Sequence, residues 1–148
     1  MMAGTAVLSK ILDIREREKK DAQIDYYKAV DVFEDIATKL FNLLQKKEAA
    51  EAAYEEALLS SMHLDFIQDQ LTYIDTLTKR IDELQKQVQQ ARSIMEFKQQ
   101  KLSEAHVETK KFEKIIEVRN NEETIMRNKM EESFMNELSI QQYLSHKK

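Results

Sequence analysis

The chain has 148 residues, no Cys, no Pro and one Gly, with 34% charged residues, 7% aromatics and a formal net charge of −4. The scarcity of Pro and Gly argues against sandwiches, barrels and α/β folds, which need many tight turns. The missing Cys excludes disulfides, thiolate zinc sites and cysteine nucleophiles and fits a reducing compartment. Acidic and basic residues are interleaved, and the Lys pairs (Lys19-Lys20, Lys46-Lys47, Lys110-Lys111) are scattered. The chain therefore lacks the electrostatic footprint of a nucleic-acid binder or of a basic membrane-surface helix.

In chain order, the opening residues from Met1 to Arg15 lack the uninterrupted apolar core of a secretory signal, and no later run is long enough to span a bilayer. A first helix is predicted over about 8–59. Alternating steps of four and three pick out Leu8, Leu12, Arg15, Lys19, Ala22, Tyr26, Ala29, Phe33, Ile36, Leu40, Leu43, Lys47, Ala50, Tyr54 and Ala57. Arg15, Lys19 and Lys47 interrupt the apolar series, and their aliphatic stems can lie along a seam while the charge reaches water. The alanines let a partner backbone come close opposite larger residues.

A loop is predicted over about 60–63, because the first seam cannot be continued in step from Ala57 to Ile67. Ser60 or Ser61 is the expected N-terminal cap of a new helix, with Asp65 complementing its positive end.

The second helix is predicted over about 64–144. Ile67, Ile74, Ile81, Val88, Met95, Leu102, Thr109 and Ile116 recur every seventh residue, accompanied by Leu77, Leu84, Ala91, Ala105 and Phe112. From Ile74 to Ile116 the seam fails only at Lys98 and Thr109. A seven-residue apolar repeat stays on one side of a helix only if that helix winds around a partner, which is the coiled-coil signature. The expected fold is all-α, an antiparallel coiled-coil hairpin forming one domain over 1–148, with helices of ~78 Å and ~120 Å at about 1.5 Å per residue.

Helix one should cover helix two only to about Ile116. Beyond it the seven-step fails at Arg119 and Glu123, and a stripe of Met126, Met130, Phe134 and Leu138 begins. This is expected to form a rotated apolar face without an internal partner, suited to docking because Met and Phe adapt to varied grooves. Ser145 to Lys148 are expected to fray.

No residues stand out for catalysis, cofactor binding or metal binding. His63, His106 and His146 share no helix-spaced set with carboxylates, and there is no Gly-rich phosphate loop. The residue pattern points to a protein that works by contact.

Four stretches resemble the FliJ family, small coiled-coil proteins of the bacterial flagellar type III export apparatus. They are Leu8, Leu12 and Arg15 running into Lys19-Lys20-Asp21; Gln70-Leu71-Thr72-Tyr73-Ile74-Asp75-Thr76-Leu77; Glu108-Thr109-Lys110-Lys111-Phe112-Glu113-Lys114; and Met135-Asn136-Glu137-Leu138-Ser139-Ile140-Gln141-Gln142-Tyr143. They stand in the family's order and span nearly the whole chain. The chain departs from the family at Ser60-Ser61, where the family's hairpin often has Gly, and at Thr72 and Tyr73, where Gln and Phe are common.

The resemblance implies a non-enzymatic stalk without cofactors. It would be cytoplasmic, peripheral on the inner face of the cell membrane through protein contacts, and would bind no nucleic acid. The implied partners are the hexameric export ATPase, which it binds and helps assemble, the cytoplasmic part of the transmembrane export gate, and substrate chaperones. By the same resemblance, Tyr73 and Leu77 face the gate, while Leu8, Leu12, Arg15, Met126, Met130, Phe134 and Leu138 face the ATPase ring. Replacing Tyr73 and Leu77 by Ala is expected to weaken gate binding and leave helicity intact. The alternatives are the equivalent stalk of a virulence-type secretion system and a purely structural coiled coil whose seams pair between chains.

Overall fold

The computed structural model describes residues 2–60 and 63–146. Ser61 and Met62 of the predicted loop, and Lys147 and Lys148 of the predicted frayed end, lie outside the described residues. The chain forms two helices, α1 (Met2–Leu59) and α2 (Leu64–His146), packed against each other as a hairpin, with no strand among the described residues.

The seam explains the pairing. Every position named above on the four-three series of α1 is buried or half-buried, and so is every seven-step and companion position of α2 from Ile67 to Ile116. By contacts the described residues fall into two compact units, each drawing on both helices: one of Asp21–Leu102, the other of residues up to Lys20 and from Ser103 onward.

The Asp21–Leu102 unit holds most of the core. Leu77, Ile81, Leu84, Val88 and Ala91 of α2 are buried, and α1 answers with Ala29, Ala50 and Ala57. Small residues on one helix facing branched ones on the other allow close approach with little void. Ala50, Leu77 and Ile81 form the central cluster, with Leu40, Leu43 and Ile74 packed on it. The pairing is antiparallel: Ala50 meets Leu77 and Ile81, while the Arg92 guanidinium lies over the Phe33 ring at 5.7 Å. Lys47, half-buried as its snorkelling stem requires, reaches Glu51 at 3.8 Å.

The unit formed by the chain's two ends is also antiparallel, joined through polar residues. Thr109 is 2% exposed, a polar residue as deeply buried as Ala57 of the apolar core. Its hydroxyl donates to the Ala105 carbonyl at 2.9 Å and lies 3.3 Å from the Arg15 carbonyl across the pair. This intrahelical bond is what allows a hydroxyl to sit in a seam, since a buried hydroxyl without a partner is costly. Thr78 uses the same device, donating to Ile74 at 2.8 Å. The Arg15 guanidinium lies 5.7 Å from the Phe112 ring centroid and bonds Glu18 at 3.0 Å.

Two boundaries and one cap differ from the sequence reading. α1 begins at Met2 rather than near residue 8. The pairing therefore runs past Ile116: Thr5 donates to Glu123 at 3.5 Å, and a Cβ on Gly4 would lie 2.9 Å from the Arg119 guanidinium. Apolar periodicity starts at Leu8, and the first turns are held by these small and polar contacts instead. Ser60 does not cap α2; its backbone N–H and its hydroxyl both donate to the Glu56 carbonyl, closing the end of α1. Finally, α2 is helical through His146, so Ser145 and His146 belong to it.

Exposed ion pairs such as Asp35–Lys39 and Asp75–Lys79, each at 3.1 Å, decorate the outer faces. Their acid-first spacing of four favours the helix by about 0.3–0.5 kcal/mol each, a minor contribution beside the seam.

Candidate functional site

The functional question is which apolar surface the fold leaves uncovered among the described residues. Among the described residues, no group of three or more His, Asp or Glu could hold a metal ion, and no helix is long and apolar enough to cross a membrane.

Among the described residues, a long uncovered apolar surface lies on α2 after Glu123. From Thr124 to His146 every residue is exposed. Met126 is 66% exposed, Met130 68%, Phe134 63% and Leu138 38%. Ile140 and Leu144 are exposed as well. Met126 stands two heptads after Phe112, and Met130 two heptads after Ile116. The stripe is therefore not rotated at its start, as the sequence reading had it. It begins on the same face of α2 that α1 covers earlier, and it drifts only from Phe134 onward, because steps of four outrun the heptad. Shallow grooves flank it, one lined by Arg119, Glu122, Glu123 and Met126, another by Met130, Glu131, Phe134 and Met135.

Leu8, Leu12 and Arg15 are all half-buried seam residues. Near them the apolar side chains open to solvent are Val7 and Ile14. Sequence reasoning passed over both because they stand off the seam, which is the signal that marks them as outward-facing.

The structure separates Tyr73 from Leu77. Tyr73 is 45% exposed, and Phe66 and Leu71 nearby are also open, whereas Leu77 is 5% exposed and sits in the central cluster. Leu77 cannot offer its side chain to a partner while this core is intact. The resemblance grouped the two, yet Leu77 also lies in the heptad frame, and burial follows the frame. Ala at Leu77 would cut into this core, whereas Tyr73 stands open to solvent. Tyr73→Ala is expected to change stability by less than about 0.5 kcal/mol, as for an exposed position. If Tyr73 anchors a partner, the same change should weaken binding roughly tenfold or more. Titration of the purified cytoplasmic part of the export gate into both proteins checks it, and equal affinities would remove Tyr73 from the contact.

A third surface is a notch in the Asp21–Leu102 unit lined by Asp25, Lys28, Ala29, Val32, Ala91, Ile94 and Lys98. It arises where two alanines, Ala29 and Ala91, meet across the pair with Val32 and Ile94 exposed on its rim.

Comparison with known proteins gives these surfaces a family context. The family model described as "Flagellar FliJ protein" matches residues 5–148. A relative of that name from Bacillus subtilis (strain 168) is 32% identical over 143 residues, covering 97% of each chain. No solved structure matches the chain. The match extends over both helices and the exposed end of α2, so the paired seam and the uncovered stripe are both within it: the chain belongs to the flagellar FliJ family.

Proposed function

We propose that this chain serves bacterial flagellar protein export as a non-enzymatic coiled-coil stalk. It binds the hexameric export ATPase and promotes its assembly and hydrolysis, contacts the cytoplasmic part of the export gate, and escorts substrate chaperones. Membership of the flagellar family supports a role in the flagellum over the virulence-type alternative.

The observation that carries the stalk reading is the stretch of α2 after Glu123, which begins on the pairing face and in which every described residue is exposed. An amphipathic helix left this way is suited to a groove in another protein, read through anchors three or four residues apart. The purely structural alternative needs free seams to pair between chains. Here the seams from Leu8 to Ala57 and from Ile67 to Ile116 are already engaged within one chain.

The ring contact is assigned to Met126, Met130, Phe134 and Leu138, with Leu8, Leu12 and Arg15 supporting the helix they pair with. The gate contact is assigned to Tyr73, with Leu77 holding the helix beneath it. On this reading the chain is cytoplasmic and reaches the membrane only through its partners.

The test is the hydrolysis rate of the matching export ATPase across a range of concentrations of this protein. A saturable rise in rate together with ring formation is expected. A flat rate with unchanged assembly would leave the stalk reading without support.

A further inference from the structure

The hairpin end of the Asp21–Leu102 unit carries apolar side chains that the seam does not use. Leu44 and Leu58 of α1 are 42% and 53% exposed, and Leu64 and Leu71 of α2 are 67% and 46% exposed. They keep step with the heptad. Leu44 and Leu58 follow the seam residues Leu43 and Ala57 by one, and Leu71 follows Gln70 by one and stands seven after Leu64. A twofold axis perpendicular to both helices relates the members of an antiparallel pair, so positions one step after matching seam residues share a flank. The grooves bear this out. Val32 and Ile94, each one step before a seam residue, share the notch on one flank, while Gln85 and Arg92, each one step after, line a groove with Leu40 and Val88 on the other. Tyr73, one step before Ile74, belongs to the notch's flank, and the four leucines belong to the opposite one.

Charge is segregated at this end. From Glu48 to Thr78 there are seven acidic residues and no Lys or Arg, which outweighs the chain's net charge of −4 and leaves the rest net basic. Glu48 stands four after Leu44 and Glu55 three before Leu58, so both edge the leucine row. Glu51 between them holds Lys47 at 3.8 Å, and Asp75 holds Lys79 at 3.1 Å. Among the described residues, Glu48 and Glu55 have no such partner.

An apolar row edged by acids selects its occupant. Anionic bilayers and nucleic acids are repelled. The same face of a second copy would set acid on acid, and the exposed end of α2 offers two bases, Arg127 and Lys129, against three acids, Glu131, Glu132 and Glu137. The complement is a helix of another protein whose apolar seam is edged by Lys or Arg, since charges beside a seam set partner choice. Leu44 to Leu58 spans about 21 Å, or roughly four turns of such a helix. We propose that the flank bearing Leu44, Leu58, Leu64 and Leu71 docks a basic amphipathic helix of a partner protein, completing a local three-helix bundle at the hairpin end.

The probe is a labelled synthetic helix of about 21 residues, with Leu at the two seam positions of each heptad and Lys at the two positions flanking them. A twin carries Glu in place of Lys. Fluorescence anisotropy with the full chain at low ionic strength is expected to show saturable binding of the Lys helix and none of its twin. Leu58→Gln combined with Leu71→Gln should weaken binding roughly tenfold or more, and Glu48→Lys combined with Glu55→Lys by a similar factor. Gln at Met126, Met130, Phe134 and Leu138 together should leave it unchanged. All these positions are exposed, and circular dichroism should show the parent's helicity. Absence of saturable binding would overturn the proposal, as would an affinity indifferent to the leucine changes or equal binding of the twin. A dimer of the chain alone, seen in sedimentation and abolished by the leucine changes, would give the flank to a second copy and overturn it too. No readout involves the ATPase or the gate, so this proposal and the stalk reading fail separately.

Discussion

Ile81→Ala is expected to lower the unfolding free energy of the chain by about 3 kcal/mol, within the range for truncating a buried aliphatic side chain in a packed core. Ile81 is 4% exposed and belongs to the cluster with Ala50 and Leu77, onto which Leu40, Leu43 and Ile74 pack. A two-helix seam is thin, with no third element to close over a cavity, so little of the loss can be recovered by collapse. Ile94→Ala removes the same atoms from an exposed position on the same helix, and should cost less than about 0.5 kcal/mol. Urea unfolding followed by helicity measures both. Equal costs would mean that the heptad frame does not define the core, and the assignment of Leu77 to support rather than contact would fall with it.

On the proposed stalk reading, replacing Met126, Met130, Phe134 and Leu138 together by Gln should lower stimulation of the export ATPase at least roughly tenfold at fixed concentration. Gln has a helix preference close to that of Met and Leu and better than that of Phe, and all four side chains are exposed, so the paired part of the chain should unfold at the parent's urea concentration. This substitution is a sharper tool than cutting the chain after Ile116. The cut would also remove Glu123 and Arg119, which approach Thr5 and Gly4 of α1. A variant that stimulates as well as the parent would clear the stripe of any part in the ring.

The pairing was legible in the sequence because a seven-residue repeat has few structural meanings. The residues that seemed to break it, Lys98 and Thr109 on α2 and Arg15, Lys19 and Lys47 on α1, are nonetheless buried or half-buried. They follow the frame, and where partners are seen Thr109 bonds a carbonyl, Lys47 and Arg15 reach carboxylates, and the Arg15 guanidinium lies near a ring. The helix ends were less legible. Met2 to Val7 carry no apolar rhythm, so the early start of α1 depends on contacts with residues more than a hundred positions away. Ser60 looked like a cap for the helix after it, and a serine that closes the preceding helix has the same local sequence. For the candidate site, the uncovered stripe was visible as a change of spacing. Its phase was not, because the break at Arg119 and Glu123 hides that Met126 and Met130 remain in frame. The placing of Leu77 shows resemblance and periodicity in competition, with periodicity deciding which way the side chain points.

The layer of Arg15, Phe112 and Thr109 has a consequence for alignment. A repeating seam is degenerate in translation, since sliding one helix by a heptad matches apolar residues to apolar residues again. Here a slide one way would bring Arg15 toward Arg119, charge against charge. A slide the other way would bring it toward Ala105, with no ring to receive the guanidinium. The layer acts as a vernier mark: it adds little binding of its own, and it makes one setting of the scale distinguishable from its neighbours.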